Sequence, residues 1–378
     1  MSKFRTVDSV SSLSGKTALL RIDTDIDIEN GRILDDTRLQ SALPTIELLL
    51  KKGADVNIVG HLGRPKAQFP ISNFQFPISN ENKEFTLEPI AHWLAKKFDG
   101  KVEETKIGEL PGWRITPKII LLENIRFSEG EEENDLEFAR ELSLLGDIFV
   151  NDAFAVSHRE HASIVGVTKY LPSYAGLHLE REIEVLSNVL KNPKRPLAVL
   201  IGGAKIETKL PLVEAMHHLA DYVLVGGEIA EQDRVLIKVQ HEKIAGKKSA
   251  VLVSDSTKDG FDITPHSIEN FKQILAQAKT IVWNGPVGKI DQRSKIKDQG
   301  SGDTERGTME LAEFIVRTKA YKVVGGGDTV SFLRRMNLLN KFDFVSTGGG
   351  AMLEFLSGHK LPGLQALEAE KDQTHLGQ

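Results

Sequence analysis

The chain has no cysteine among its 378 residues. That excludes a disulfide framework and any thiolate metal site, and it fits a reducing compartment. Basic charge is not in excess either: 48 Lys and Arg stand against 53 Asp and Glu, a formal net charge of -5. Nucleic-acid and membrane-surface binding both draw on surplus Lys and Arg, so neither partner is expected. No run approaches the roughly 18 to 20 apolar residues of a bilayer span, and the opening MSKFRTVDSVSSLSG lacks an apolar signal region. The expectation is a cytoplasmic protein. Missing too are G-x-x-x-x-G-K-[ST], G-x-G-x-x-G and the protein-kinase signatures, so no single motif declares a nucleotide site.

What is present is an alternation. Short apolar runs bounded by turn residues (TALLRID, DVNIVGHLG, KIILLENIRF, GDIFVNDAF, then PLAVLIGG, DYVLVGG, TIVWNGPVG, KVVGGGD, FDFVSTGGG) alternate with segments of helical period. This predicts parallel α/β structure, and the length predicts two domains. Ligands of such sheets collect at the carboxyl ends of the strands, so the residues after each run carry the chemistry.

Those residues differ between the halves. Before residue 200 no two glycines are adjacent and the strand ends carry Asp, His and Arg; afterwards pairs or triplets begin at 202, 226, 325 and 348, holding 10 of the 32 glycines. One half offers charged side chains and the other bare N–H groups, which predicts two different anionic ligands. We expect one doubly wound domain over 1–175, a connecting helix over 176–195, a second such domain over 196–356, and return of 357–378 to the first. A tandem QFPISNF and QFPISNE at 68–81 is too short for a solenoid and reads as a solvated loop insertion.

In VVGGGDTVSFLRRM the glycines sit between a strand and a helix start, where free N–H groups and the helix dipole attract a phosphate. Asp328 there is either a ligand of Mg2+ shared with that phosphate or the N-cap of a plain turn. VSTGGGAMLEFL repeats the device. IGGAKIETKL adds Lys205 and Lys209 near a helix start that Pro211 could delay. In the first half, Arg38, Arg126 and Arg159 join His61 and Arg64 of GHLGRPK at or near strand ends, a set suited to a small, multiply charged carboxylate or phosphate. Asp23, Asp25 and Asp27 lack the Gly and Glu of a calcium loop, and His158 with His161 lacks zinc-site spacing.

With these stretches in chain order, above all GHLGRPK and the pairing of GGGDT with STGGGA, the sequence from about residue 15 to 367 resembles phosphoglycerate kinase. The resemblance implies two doubly wound parallel-sheet domains joined by a hinge helix. It implies reversible phosphoryl transfer from 1,3-bisphosphoglycerate to ADP, giving 3-phosphoglycerate and ATP, with Mg2+, in a monomer. It assigns the phosphoglycerate to Asp23, Asp25, Arg38, His61, Arg64, Arg126 and Arg159. The nucleotide falls to Gly203, Lys205, Lys209, Asn284, Pro286, Asp291, Gly326, Gly327, Asp328 and Thr329, with Asp328 as the metal ligand. Arg38, Lys205, Lys209 and the N–H groups of Gly348 and Gly349 would neutralise the moving phosphoryl group.

The chain departs from that family at several points. Asp25 replaces a substrate-binding Asn, an added negative charge expected to weaken phosphoglycerate binding. Thr208 replaces an Asp, Ala155 and Val156 a Gly-Thr pair, Asp291 a ribose-binding Glu, and the segment after Glu228 is short by several dozen residues. These departures lead to a second reading, a catalytically weak relative that binds its ligands for regulation, and they put base preference in question.

Overall fold

Strand β1 (Thr17–Arg21) sets the pattern of the N-terminal half. Ala18 and Leu20 enter one buried apolar cluster and Leu19 enters another, because side chains of a strand alternate between its two faces. A strand apolar on both faces requires cover on both faces. The computed structural model describes residues 4–65, 82–203, 206–227, 230, 249–290 and 303–369. The QFPISN repeat, Lys205, Glu228 and Asp291 lie outside them, as do the side chains of 206–211.

By its internal contacts the chain divides into Met1–Ile183 with Lys360–Gln378, and Glu184–His359. In the first unit, β1 is followed by a small hairpin, β2 (Ile28–Glu29) and β3 (Arg32–Ile33), then α1 (Thr37–Lys51), β4 (Asp55–Val59) and α2 (Glu88–Lys97). Next come β5 (Glu103–Ile107), β6 (Leu110–Thr116), β7 (Ile119–Leu122), α3 (Glu129–Glu132), α4 (Leu136–Ser143), β8 (Ile148–Asn151) and β9 (Ser173–Ala175). The sheet runs β5-β6-β7-β4-β1-β8-β9. Its β7 to β9 side is parallel, and an antiparallel β5-β6 edge is added to β7. Leu39, Ile46 and Leu49 of α1 with Ile90 and Leu94 of α2 close one face, and Phe138 and Leu142 of α4 close the other.

Helix α5 (Leu177–Lys191) crosses the division between the units. Its first N–H groups have no partner within the helix and are taken up by side chains of the first unit. Leu177 N donates to Thr45 Oγ1 at 3.0 Å, and His178 N and Leu179 N donate to Asp152 Oδ1 at 2.9 and 3.1 Å.

The second unit contains β10 (Leu197–Ile201), α6 (Ile206–Leu219), β11 (Tyr222–Val225), β12 (Ala250–Val253), α7 (Pro265–Leu275) and β13 (Thr280–Asn284). It continues with α8 (Arg306–Arg317), β14 (Tyr321–Gly325), α9 (Gly327–Arg335), β15 (Phe344–Val345) and α10 (Gly349–Leu356). Its sheet, β12-β11-β10-β13-β14-β15, is parallel throughout. Trp283, Leu200, Ile281 and Val324 pack against Phe271 of α7, Ile315 of α8 and Phe332 of α9, while α6 packs against α10. Trp283 is fully buried, and its indole N–H finds the Gly285 carbonyl at 2.7 Å, so removing the ring would cost about 3–5 kcal/mol. The last helix among the described residues, α11 (Pro362–Ala369), lies in the segment grouped with the first unit. Two α/β units with parallel sheets, the fold class read from the alternation, is therefore the architecture observed.

Candidate functional site

In the first unit the charged residues follow four neighbouring strands, β7, β4, β1 and β8, with Arg38 added from the first turn of α1. Arg21, the last residue of β1, is 1% exposed and fully engaged: Nε donates to Ser163 Oγ at 3.0 Å, Nη1 to the Ile22 carbonyl at 2.5 Å, and Nη2 meets His61 Nδ1 at 2.9 Å. Ser163 in turn donates to buried Glu131 at 2.7 Å.

A guanidinium has donors only, so His61 Nδ1 accepts and the ring proton sits on Nε2. Nε2 lies 3.7 Å from Asp25 Oδ2. Burial, helped by the Arg21 and Arg126 charges, pushes the His61 pKa down to about 3 against the pull of Asp25, so the imidazole is neutral. Burial disfavours the Asp25 charge, but His61, the Gly63 N–H at 2.9 Å and Arg38 outweigh it and hold the carboxyl well below the usual range. Asp25 is thus an anion bound to protein donors.

Gly63 is gripped at both ends. Its N–H donates to Asp25, its carbonyl accepts from Arg126 Nη1 at 2.7 Å, its φ is +59°, and a Cβ would meet the Phe85 ring at 2.5 Å. Only glycine fits there. Arg126 is buried, with Nε 3.4 Å from Glu132 Oε1; burial lowers its pKa, Glu132 opposes that, and Arg159 and Arg21 repel it further. Arg38 Nη1 donates to the Asp25 carbonyl. Asp23 accepts from Ala155 N at 3.1 Å, and burial raises its pKa against the opposing charge of Arg38. Asp23 Oδ1 and Arg159 Nε are buried without a hydrogen-bond partner among the described residues. Mutually repelling guanidiniums, with the buried Nε of both Arg126 and Arg159 outside any hydrogen bond among the described residues, are what a multiply charged anion would stabilise. Arg64, on the same loop as His61, is exposed.

In the second unit the glycines line the carboxyl ends of β10, β11, β13 and β14. Several are required by the protein's own packing. A Cβ on Gly202 would lie 2.2 Å from the Pro286 carbonyl, one on Gly325 would lie 2.3 Å from Met352 Sδ, and one on Gly349 would lie 2.9 Å from Gly326 Cα. Gly203 and Gly326 have φ of +97° and +95°. Gly327 alone of its triplet faces open space. The Gly349 contact brings the starts of α9 and α10 together, with Gly326 and Gly348 as their N-caps. Asp328 is the second residue of α9, so the N-cap alternative gives way to Gly326, the only residue type that tolerates this φ. Thr329 Oγ1 accepts from Gly285 N at 3.0 Å, tying α9 to the end of β13, and Asn284 is buried beside Gly326.

A cavity of about 160 Å³ opens at these strand ends, lined among others by Gly203, Gly227, Pro286, Phe261, Lys289 and Asp328. It is smaller than the ~300–1,000 Å³ that engulfs a whole drug-sized ligand, so it suits part of an extended one. Among the described residues no group of three His, Asp or Glu could hold a metal ion. One carboxylate on a helix's first turn, beside N–H groups that favour phosphate, fits Mg2+ arriving with a nucleotide, since Mg2+ is commonly held by one or two carboxylates plus substrate phosphates.

Of the residues singled out in the sequence, Asp23, Asp25, Arg38, His61, Arg126 and Arg159 form one electrostatically coupled cluster. Gly203, Pro286 and Asp328 share the cavity, and Gly326, Gly327, Gly348 and Gly349 form the paired helix starts. Helix α6 begins at Ile206 and runs through Pro211, so Lys209 is helical and Pro211 does not delay the helix. His161 faces Glu131, with Nδ1 3.6 Å from Oε1. Arg21 escaped the sequence reading, although a cation inside an otherwise apolar strand run was the signal for it. Among the described residues no helix is long and apolar enough to cross a membrane.

Comparisons with known proteins agree with this arrangement. The family model described as phosphoglycerate kinase matches residues 7–246 and 230–359, two pieces that overlap over 230–246. A phosphoglycerate kinase of Borrelia garinii subsp. bavariensis is 36% identical, covering 96% of this chain and 99% of its own. One of Coprothermobacter proteolyticus is 36% identical, with 95% and 98% covered. The structure of phosphoglycerate kinase from Coxiella burnetii is 34% identical, with TM-score 0.76 over 96% of this chain and 98% of that one. The Pyrococcus horikoshii phosphoglycerate kinase structure is 27% identical, again with TM-score 0.76, over 98% and 100%. A full-length family match and near-complete coverage of relatives above 30% identity join a guanidinium cluster in one unit and paired glycine helix starts in the other, and on these grounds the chain belongs to the phosphoglycerate kinase family.

Proposed function

We propose that this chain transfers the γ-phosphoryl group of ATP to the carboxylate of 3-phosphoglycerate and runs the reverse reaction from 1,3-bisphosphoglycerate and ADP, as a cytoplasmic monomer. The supporting observation is the meeting of two helix N-termini at Gly326 and Gly349, which assembles N–H donors for a phosphoryl group in one place. Asp23, His61, Arg64, Arg126 and Arg159 hold the phosphoglycerate. Gly203, Asn284, Pro286, Asp291, Gly326, Gly327 and Thr329 hold the nucleotide. Lys205, Lys209, Arg38 and the Gly348 and Gly349 N–H groups neutralise the group in transfer. Asp328 would hold Mg2+, which when bound supplies charge neutralisation on the phosphate oxygens.

A carboxylate acceptor is already ionised at neutral pH, so the chemistry needs no general base. The site accords with that. His61 is neutral, with its acceptor nitrogen engaged by Arg21, and is positioned to bind and not to take up a proton. A coupled assay with ATP, Mg2+ and 3-phosphoglycerate should show turnover, and Arg38→Ala should lower kcat on the order of 10²-fold or more. Absence of turnover in the parent would overturn the reading.

A further inference from the structure

The cavity of the second unit is lined by two chemically distinct sets of residues, Asp328 with the glycines and Phe261 with Lys289. Phe261 is 45% exposed although it lines a cavity, and the loop that carries it is tightly fixed. Thr257 N donates to the Asp262 carbonyl at 2.8 Å and Gly260 N to the Thr257 carbonyl at 2.9 Å. The neighbouring Asp262 carboxylate takes the N–H groups of Ile263 and Gly307 at 2.8 and 2.7 Å. Lys289 N donates to the Phe261 carbonyl at 2.7 Å, which pins the two backbones together, and Lys289 Nζ sits over the ring at 4.7 Å from its centroid. The backbone that carries the ring is therefore fixed, while the ammonium rides on a flexible four-carbon stem.

We propose that Phe261 and Lys289 read the nucleotide base, and that they favour a 6-oxopurine over adenine. This rests on the kinase reading above, which puts phosphates beside Asp328 and the glycine helix starts and leaves the aromatic ring and its ammonium to meet the base. A purine stacks on the Phe261 ring in place of the ammonium, an exchange made easy by the weakness of exposed cation-π contacts. The displaced ammonium then lies beside the edge of the base. A 6-oxopurine presents two adjacent acceptors there, O6 and N7, whereas adenine presents one acceptor next to an amino donor. An ammonium has donors only, so it pairs with the first edge and is partly opposed by the second.

The test is steady-state kinetics of the full chain with ATP, GTP and ITP at saturating 3-phosphoglycerate. GTP and ITP should show KM values at or below that of ATP. Lys289→Met should raise the GTP and ITP values about fivefold or more and leave ATP within about twofold, the loss expected for one ionic hydrogen bond. Phe261→Ala should raise KM for all three about tenfold with kcat nearly unchanged, as loss of a stacking face does. A Lys289→Met variant in which all three KM values rise together makes the lysine a phosphate contact and overturns the proposal, as does one in which none moves. Calorimetric titration of MgADP and MgGDP into parent and Lys289→Met repeats the comparison without chemistry. GDP binding that is tight and lysine-dependent in a chain with no turnover would sink the kinase reading and leave base reading standing; GDP binding no tighter than ADP sinks the base reading alone.

Discussion

Asp152 shows how one side chain links chemistry to architecture. Burial, with Asp23 nearby, pushes its pKa up to about 7 against the stabilising effect of Thr45 and the His178 and Leu179 N–H groups. An unfolded Asp releases its proton near pH 4, so between about pH 4 and 7 the folded state holds a proton that the unfolded state has lost. Unfolding free energy must therefore fall as pH rises through that window, by about 2 kcal/mol or more. Asp152→Asn keeps an acceptor for the two N–H groups and removes the titration. Its melting temperature should track the parent near pH 5 and exceed it near pH 8, and a constant gap at all pH values would count against this assignment. At the same scale Asp25, read as a charge beside the substrate, is an anion whose carboxylate is bound by Gly63 and His61. The sequence showed that an acid stood there. It could not show which donors it faces, because those follow from the packing of β1 against β4.

At the scale of elements, strands and glycine turns were legible because a two-residue period and a missing side chain both leave local marks. Their causes were less so. The triplet in VVGGGDTV reads as an opening for a ligand, yet Gly325 lacks a side chain because Met352 occupies the space, Gly326 because of its φ, and only Gly327 faces an open surface. Likewise the pairing of Phe261 with Lys289 depends on two loops meeting, which no local pattern announces. The two helix starts can be separated experimentally. Gly349→Ala puts a Cβ against the Gly326 backbone, and should cost about 1–3 kcal/mol of stability and lower kcat about tenfold as the N–H groups are displaced. Gly327→Ala meets no protein atom, so stability should hold while nucleotide KM rises. Thermal melts with kinetics on both variants check the contrast, and equal effects would contradict it.

At the scale of the molecule, the kinase reading gives each unit the residues for one ligand. The kinase reading thus requires the units to close on both ligands together, with the turn of chain at α5 as the hinge. Small-angle scattering should give a smaller radius of gyration with 3-phosphoglycerate and a nucleotide together than with either alone; an unchanged profile would argue against closure. The chain passes between units twice, at Ile183 to Glu184 and back at His359 to Lys360. Such a pair of tethers makes neither unit a pendant of the other. A nick between His359 and Lys360 leaves the two main bodies covalently joined through α5, whereas a nick between Ile183 and Glu184 leaves the second unit attached to Met1–Ile183 only through the returned segment, whose Leu361, Leu364 and Leu367 are buried.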